Sequence, residues 1–208
     1  MKLLIFGSGS IGRQLVEQAL EQGYTVTAFA RDPAKLDLQH THLQVTQGDV
    51  MDLASVERAV QGQDAVLCVL GSAGKRQGTI RSEGTRQIIQ AMEKAGIQRF
   101  ICQTTLGAGD SWENLNFFWK YIMFGILLHE VFADHETQER YVMQSHLDWT
   151  IVRPGAFVEG PRTGNYRYGF PSNDKTSKLK ISRADVADFI LKQLTDESYL
   201  HKTPSLSY

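Results

Sequence analysis

Leu3 to Phe6 is an unbroken apolar run that ends on glycine. A run this short, apolar on both faces, predicts a strand buried inside a parallel sheet. Behind it Ile11, Leu15 and Ala19 recur at helical spacing, so the pattern changes from strand to helix across Gly7 to Gly12. The alternation continues down the chain. Tyr24 to Ala30 (YTVTAFA) mixes β-branched and aromatic residues and predicts strand two, and His42 to Gln47 predicts strand three. Asp52 stands as a cap before a helix carrying Leu53, Val56 and Val60. Asp64 to Leu70 (DAVLCVL) is apolar, as a central strand should be. Ile80 to Ala95 predicts a helix with Ile88, Ala91, Met92 and Ala95 on one side and Gly96 as its stop. Arg99 to Thr104 and Leu147 to Val152 predict strands five and six, and Lys178 to Ile181 a short final strand. Arg183 to Leu194 predicts a terminal helix capped by Ser182, with Val186, Phe189, Ile190 and Leu194 inward.

Strands alternating with helices, without an internal repeat or a low-complexity linker, predict one α/β domain over 1–208. The expected architecture is a Rossmann fold, a doubly wound parallel sheet in the order 3-2-1-4-5-6. Gly107 to Asp134 and Gly160 to Asp174 interrupt the alternation. Both follow strand C-terminal ends, where open sheets bind ligands, so both are expected to wall one side of the ligand site.

The change from strand to helix carries the first chemistry. Gly7, Gly9 and Gly12 stand in the spacing G-x-G-x-x-G. The first glycine permits the tight turn, the second lets backbone approach a pyrophosphate, and the third lets helix and strand pack closely. The free amides of the helix start then face the phosphates. An NAD-preferring site places an acidic residue about 20 residues further on, for the ribose 2′-hydroxyl. That place holds Arg31, whose guanidinium suits a 2′-phosphate and predicts NADP. Lys35 and Arg13 are further candidates for the phosphates, or else solvated surface cations; Asp32 serves the ribose if it turns inward. Asp49 is placed to accept from the adenine amino group, with Val50 beside the ring. Gly71-Ser72-Ala73-Gly74 follows strand four at its ligand-binding end, and Gly74-Lys75 lacks the context of a phosphate-binding P-loop.

Composition narrows the function classes. The chain has 208 residues, 42% hydrophobic and 22% charged, with net charge −1. That balance supplies no basic surplus for nucleic acid or anionic lipid. Cys68 and Cys102 lie inside apolar strands and read as reduced core thiols, which fits a cytoplasmic setting. The N-terminal apolar run is too short for a signal peptide. Within Leu115 to Phe132 the longest uninterrupted apolar run, Tyr121 to Leu128, is too short to span a bilayer, so no membrane span is expected.

Several stretches together resemble one family. They are LLIFGSGSIG, Arg31-Asp32, Gly48-Asp49-Val50, Ser82-Glu83-Gly84-Thr85-Arg86 with Ala91-Met92, Asp148 to Gly155 (DWTIVRPG) and Ser182 to Ala187 (SRADVA). They look like the atypical short-chain dehydrogenase/reductases, most of all the NmrA-like and biliverdin-IXβ-reductase (flavin reductase) branch. The resemblance runs from Met1 to about Leu194. It implies NADPH-dependent hydride transfer to a flat conjugated acceptor, such as free FMN or FAD or a linear tetrapyrrole. By that likeness Gly7, Ser8, Gly9, Ser10, Ile11 and Gly12 hold pyrophosphate, Arg31 the 2′-phosphate, and Asp49 and Val50 the adenine. Leu70 and Gly71 lie along the ribose, and Pro154, Gly155 and Phe157 against the nicotinamide. Thr104 and Thr105 match a Thr-Ser pair that lines nicotinamide and acceptor. The branch carries a His after its Pro pair where this chain has Gly155-Ala156. That departure counts against a His-dependent step and against bilin reduction.

The Tyr–Lys dyad of ordinary short-chain dehydrogenases is missing. Tyr121, Tyr141, Tyr166 and Tyr199 are followed four residues on by Gly125, Ser145, Phe170 and Thr203. Flavin reduction does not need the dyad, since two stacked rings suffice and solvent protonates the product. Thr104 and Thr105 are the candidate catalytic residues; the competing reading is β-propensity at a strand end. The aromatic stretch 115–132 reads as a core helix, a wall for a flat acceptor or a partner-docking surface. His129-Glu130 and His135-Glu136 fail the H-E-x-x-H spacing at Ala133, so no metal site is expected. His135, Glu136, Glu139 and Arg140 read as a solvated helix face, with His135 as proton donor the alternative. Two classes of function stand: an NADPH-dependent reductase, or a non-catalytic NADP(H)-binding sensor or assembly factor docking a partner through 115–132.

Overall fold

The first apolar run divides between two cores. In β1 (Lys2–Phe6), Leu3 and Ile5 point to one face of the sheet and Leu4 and Phe6 to the other, all of them buried. A strand buried on both faces must lie mid-sheet, and β1 pairs in parallel on either side, with β2 (Thr25–Ala30) and β4 (Ala65–Cys68). β3 (Leu43–Gln47), β5 (Arg99–Gln103) and β6 (Asp148–Pro154) complete the expected order β3-β2-β1-β4-β5-β6. The computed structural model describes residues 1–71 and 78–208, without the Lys35 side chain; Ser72, Ala73, Gly74 and Lys75 therefore lie outside the described residues.

Helices cover both faces. α1 (Ser10–Glu21) shares one core with Phe189, Ile190 and Leu191 from the later helix at 183–192. α2 (Leu53–Val60), α3 (Ile80–Ala95) and α4 (His129–Gln144) contribute to the other core. Asp52 caps α2, its side chain accepting from Ala54 N, and Gly96 ends α3 in the left-handed conformation with φ 73°. Both match the expectation. Helix α5 (Arg183–Lys192) begins at Ser182, whose hydroxyl accepts from Asp185 N at 3.1 Å.

The C-terminal part departs from the expected pattern. Three short strands appear: β7 (Ala156–Val158), β8 (Arg167–Tyr168) and β9 (Lys180–Ser182). β9 pairs with β7 outside the main sheet, so the expected strand at Lys178 to Ile181 is displaced and is not the last. The chain then returns as β10 (Ser205–Ser207), parallel to β6, and β8 pairs antiparallel with β10. A strand this short, with one apolar residue (Leu206), carries no periodicity to read. The loop 160–174 was expected at the ligand end; instead Thr163 N and Gly164 N donate to Asp185 Oδ1 at 2.7 and 2.9 Å, and part of the loop supplies β8.

The insertion after β5 does reach the ligand end. It folds as a 3-10 turn (Gly109–Asn114) and a π-helix (Phe118–Leu127). Leu115, Phe124 and Phe132 are buried with Leu106, whereas Phe117, Phe118, Tyr121, Ile126 and Leu127 are exposed. Core and surface readings of the stretch therefore apply to different residues within it. Among the described residues no helix is long and apolar enough to cross a membrane.

One carboxylate ties α3 to α4 beside the ligand end. Thr79, at the start of α3, makes no side-chain cap. Asp134 of α4 does that work across the helix pair, accepting from Arg81 N and Ser82 N at 3.0 Å each and from the Ser82 hydroxyl at 2.5 Å. It is buried, so its loss would leave those donors without water. Asp134→Ala should cost about 3 kcal/mol of stability in denaturant unfolding, with Asp134→Asn intermediate.

Candidate active site

A cavity of about 650 Å³ lies across the C-terminal ends of the strands, where the sheet order reverses between β1 and β4. That is the ligand position of doubly wound sheets. Gly7 to Gly12 line one end. Gly7 has φ +116°, and a Cβ on it would fall 2.5 Å from Val69 O. A Cβ on Gly12 would fall 1.7 Å from Gly7 O, so α1 touches the turn it follows. A Cβ on Gly9 meets nothing within 4 Å. Gly9 is also the N-cap of α1 without a side-chain hydrogen bond, and the first turn carries no acid. Open space, uncapped amides and the positive helix end fit a pyrophosphate.

Arg31 and Asp32 line the same end, with Gly48 and Val50 beside them, and Leu70 and Gly71 continue the wall. Asp49 does not line it; its Oδ1 accepts from Met51 N at 3.0 Å. The Lys35 side chain lies outside the described residues. Arg13 turns away, its Nε donating to Glu17 at 2.9 Å.

Thr104 and Thr105 both line the middle of the cavity. Their hydroxyls differ. Thr104 donates to Glu139 Oε1 at 2.7 Å and is buried, whereas Thr105 is half-buried and, among the described residues, donates to its neighbour Leu106 O at 3.3 Å. Behind Thr104, Arg153 grips Glu139 with two bonds, Nε at 2.9 Å and a terminal nitrogen at 2.7 Å, and reaches Asp110 with its other nitrogen. Burial works against the Arg153 charge, but Glu139 and Asp110 outweigh it and raise its pKa. The far wall is Leu115, Trp119, Phe124, Leu128 and Val131, and Pro154, Gly155 and Phe157 line the exit of β6. A Cβ on Gly155 would fall 2.6 Å from the Leu179 carbonyl carbon, so no side chain fits at that position. No tyrosine lines the cavity among the described residues.

α4 corrects the expectation of a solvated face. Glu136 and Arg140 are exposed, but His135 and Glu139, four residues apart, turn inward and are buried. His135 lines the cavity, with Nδ1 3.0 Å from Gln138 Oε1. Gln138 Nε2 donates to Thr85 Oγ1 at 3.0 Å and Cys102 Sγ at 3.2 Å, which leaves its oxygen for the ring. Burial, then the Arg81 charge, pulls the His135 pKa to about 3, against the opposing Gln138 bond. A neutral ring at neutral pH does not serve as the proton donor considered from sequence. Arg81 is a lining residue that sequence reasoning missed, and from sequence His135 stands only as a candidate proton donor, because the place of both in the cavity depends on how α4 meets α3. Cys68 and Cys102 are free and buried, and no group of His, Cys, Asp or Glu among the described residues could hold a metal.

A family model for NAD(P)H-binding proteins matches residues 7–197. The chain belongs to this family of NAD(P)H-binding oxidoreductases. The match agrees with the likeness to atypical, NmrA-like short-chain dehydrogenase/reductases. Among relatives, the chain is 31% identical to the UPF0659 protein YMR090W of Saccharomyces cerevisiae, covering 93% of this chain and 87% of that one. It is 26% identical to the photosystem II assembly factor Ycf39 of Synechocystis, covering 97% of this chain but 60% of Ycf39. Among solved structures it is similar to ChuY, an anaerobilin reductase of Escherichia coli O157:H7, with TM-score 0.82 and 29% identity over 100% of this chain and 97% of that one.

Two expectations follow for the family site. Gly9→Ala should change stability by no more than about 1 kcal/mol yet weaken NADP(H) binding at least about tenfold, because its Cβ enters the open cradle. Gly12→Ala should cost about 3 kcal/mol, because its Cβ meets a backbone oxygen. Thermal melts with and without NADP+ separate the two. The second concerns pH. His135 has a folded pKa of about 3. An unfolded His titrates near 6.5, so between these values the unfolded chain binds the extra proton and stability falls as pH falls. Between pH 7 and 5.5 the loss should be about 1 kcal/mol, and His135→Gln should remove it in paired unfolding curves.

Proposed function

We propose that this protein is an NADPH-dependent reductase that transfers hydride to a flat conjugated acceptor, with free flavin (FMN or FAD) first and a linear tetrapyrrole second. The observation that carries the reading is one continuous cavity with two unlike ends. A glycine cradle and Arg31 make one end, and an apolar wall with Trp119 and Phe124 makes the other. The first suits a dinucleotide phosphate and the second a flat ring system. ChuY is described as an anaerobilin reductase, which supports an acceptor of that shape. The Gly155 position, with no room for a side chain, ranks flavin above tetrapyrrole by the likeness described from sequence.

A reduced nicotinamide bound there would supply a hydride from its C4 to N5 of a flavin acceptor, with solvent supplying the proton. The protein's part is placement. The first turn of α1 holds pyrophosphate through its backbone amides, and Arg31 holds the 2′-phosphate. Thr105 offers the hydroxyl that orients the carboxamide or the acceptor. Thr104, committed to Glu139, is a positioning residue. The apolar wall excludes water from the reacting faces. Asp49 stays a candidate for the adenine end, as does Lys35 for the phosphates.

A second reading has its own observation. Phe117, which caps the π-helix, and Ile126 within it are 72% and 70% exposed, which suits a docking surface. Ycf39 is described as an assembly factor, so a cofactor-binding chain that docks a protein, without turnover, is the alternative.

Oxidation of NADPH, followed with and without FMN or biliverdin, decides between them. Acceptor-dependent oxidation is expected; tight NADPH binding with no turnover on either acceptor favours the docking module. Arg31→Ala should weaken NADPH at least about tenfold and NADH less than about twofold. Equal losses for both would remove the 2′-phosphate assignment.

A further inference from the structure

On α4 and its N-cap, Leu128, Val131 and His135 stand at i, i+3 and i+7, so all three lie on one helix face, and all three line the cavity. Two are apolar and belong to the wall assigned to the acceptor. His135 is the polar end of that stripe.

The ring of His135 is held in place, and its hydrogen bond assigns the tautomer. It is 7% exposed, so its surroundings hold it. Nδ1 faces Gln138 Oε1, an oxygen that only accepts, so Nδ1 carries the hydrogen. Gln138 Nε2 donates to Thr85 Oγ1 and Cys102 Sγ, which turns the amide oxygen toward the ring. Nε2 is left with a lone pair and has no partner among the described residues. The neutral state follows from the buried position and the nearby Arg81 charge. A ligand that fills the cavity strips water from this acceptor, which is costly unless a ligand donor takes its place.

We propose that His135 Nε2 is the specificity element of the acceptor subsite and takes a hydrogen bond from the imide N–H (N3) of a flavin. This rests on the flavin reading given above and deepens it. An acceptor of similar size without an N–H, such as a quinone, leaves Nε2 unpaired and is selected against. His135 touches substrate in this account but transfers no proton.

The test uses the complete protein with NADPH and two probes, lumiflavin and 3-methyllumiflavin, which differ by a methyl in place of that hydrogen. With the wild-type protein kcat/KM should fall at least about tenfold on methylation, the effect of an acceptor left unpaired once the ligand has displaced water. His135→Leu should lower kcat/KM for lumiflavin by a similar factor and abolish the difference between the two probes, as a coupled pair requires. The wild-type comparison needs no variant, so it stands even where His135→Leu folds poorly. Lumiflavin and its methyl derivative reduced equally well by the wild type, or the same methyl effect in His135→Leu, would overturn the assignment while leaving the reductase reading intact. No reduction of lumiflavin at all would overturn the flavin reading, and the subsite with it.

Discussion

The contact on which the site depends is that of Gly12 with the carbonyl oxygen of Gly7. A Cβ on Gly12 would stand 1.7 Å from that oxygen, so α1 starts directly against the end of β1. This closeness aims the uncapped amides of the first turn at the cavity. It also sets α1 on the sheet face that it shares with α5. Any side chain at Gly12 would push the helix off the strand and move every amide in the cradle with it. The phosphate end is thus built from backbone and from the absence of side chains.

The end of the cavity proposed for the acceptor is built the other way, from side chains held by buried charge. Thr104, Glu139, Arg153 and Asp110 form one chain of bonds running from β5 through α4 and β6 to the turn at Gly109–Asn114. Removing water from a carboxylate and a guanidinium is expensive, and the two bonds of the Glu139–Arg153 pair offset much of that cost. The return is geometric: four separate parts of the ligand end are fixed relative to one another. Beside it, Gln138 links His135 to Thr85 and Cys102, and Asp134 links α4 to the start of α3. Helix α4 therefore serves as the frame of the acceptor end, as α1 does of the phosphate end.

Much of the phosphate end was legible in the sequence because its signals are local. Gly7, Gly9, Gly12 and Arg31 sit at spacings set by a single strand–turn–helix unit, and the central strand order follows from continuous apolar runs. The acceptor end was less legible because its contacts are long-range. Polar residues on α4 alternate with apolar ones in a way that suits a surface helix as well as a buried polar network, so His135 and Glu139 read as solvated. Only the packing of α4 against α3, β5 and β6 separates them from Glu136 and Arg140. The aromatic stretch defeated a single reading for a related reason: Phe124 and Phe132 close the core while Phe117 and Ile126 face outward. β10 escaped because three residues with one apolar side chain carry no period.

The most direct measurement is a crystal structure of the protein with NADP+ and FMN together. The account predicts pyrophosphate over Gly9, the 2′-phosphate on Arg31, and the flavin ring against Trp119 and Phe124 with its imide edge at His135. A dinucleotide bound elsewhere, or a flavin seated outside this cavity while the dinucleotide fills it, would contradict the account.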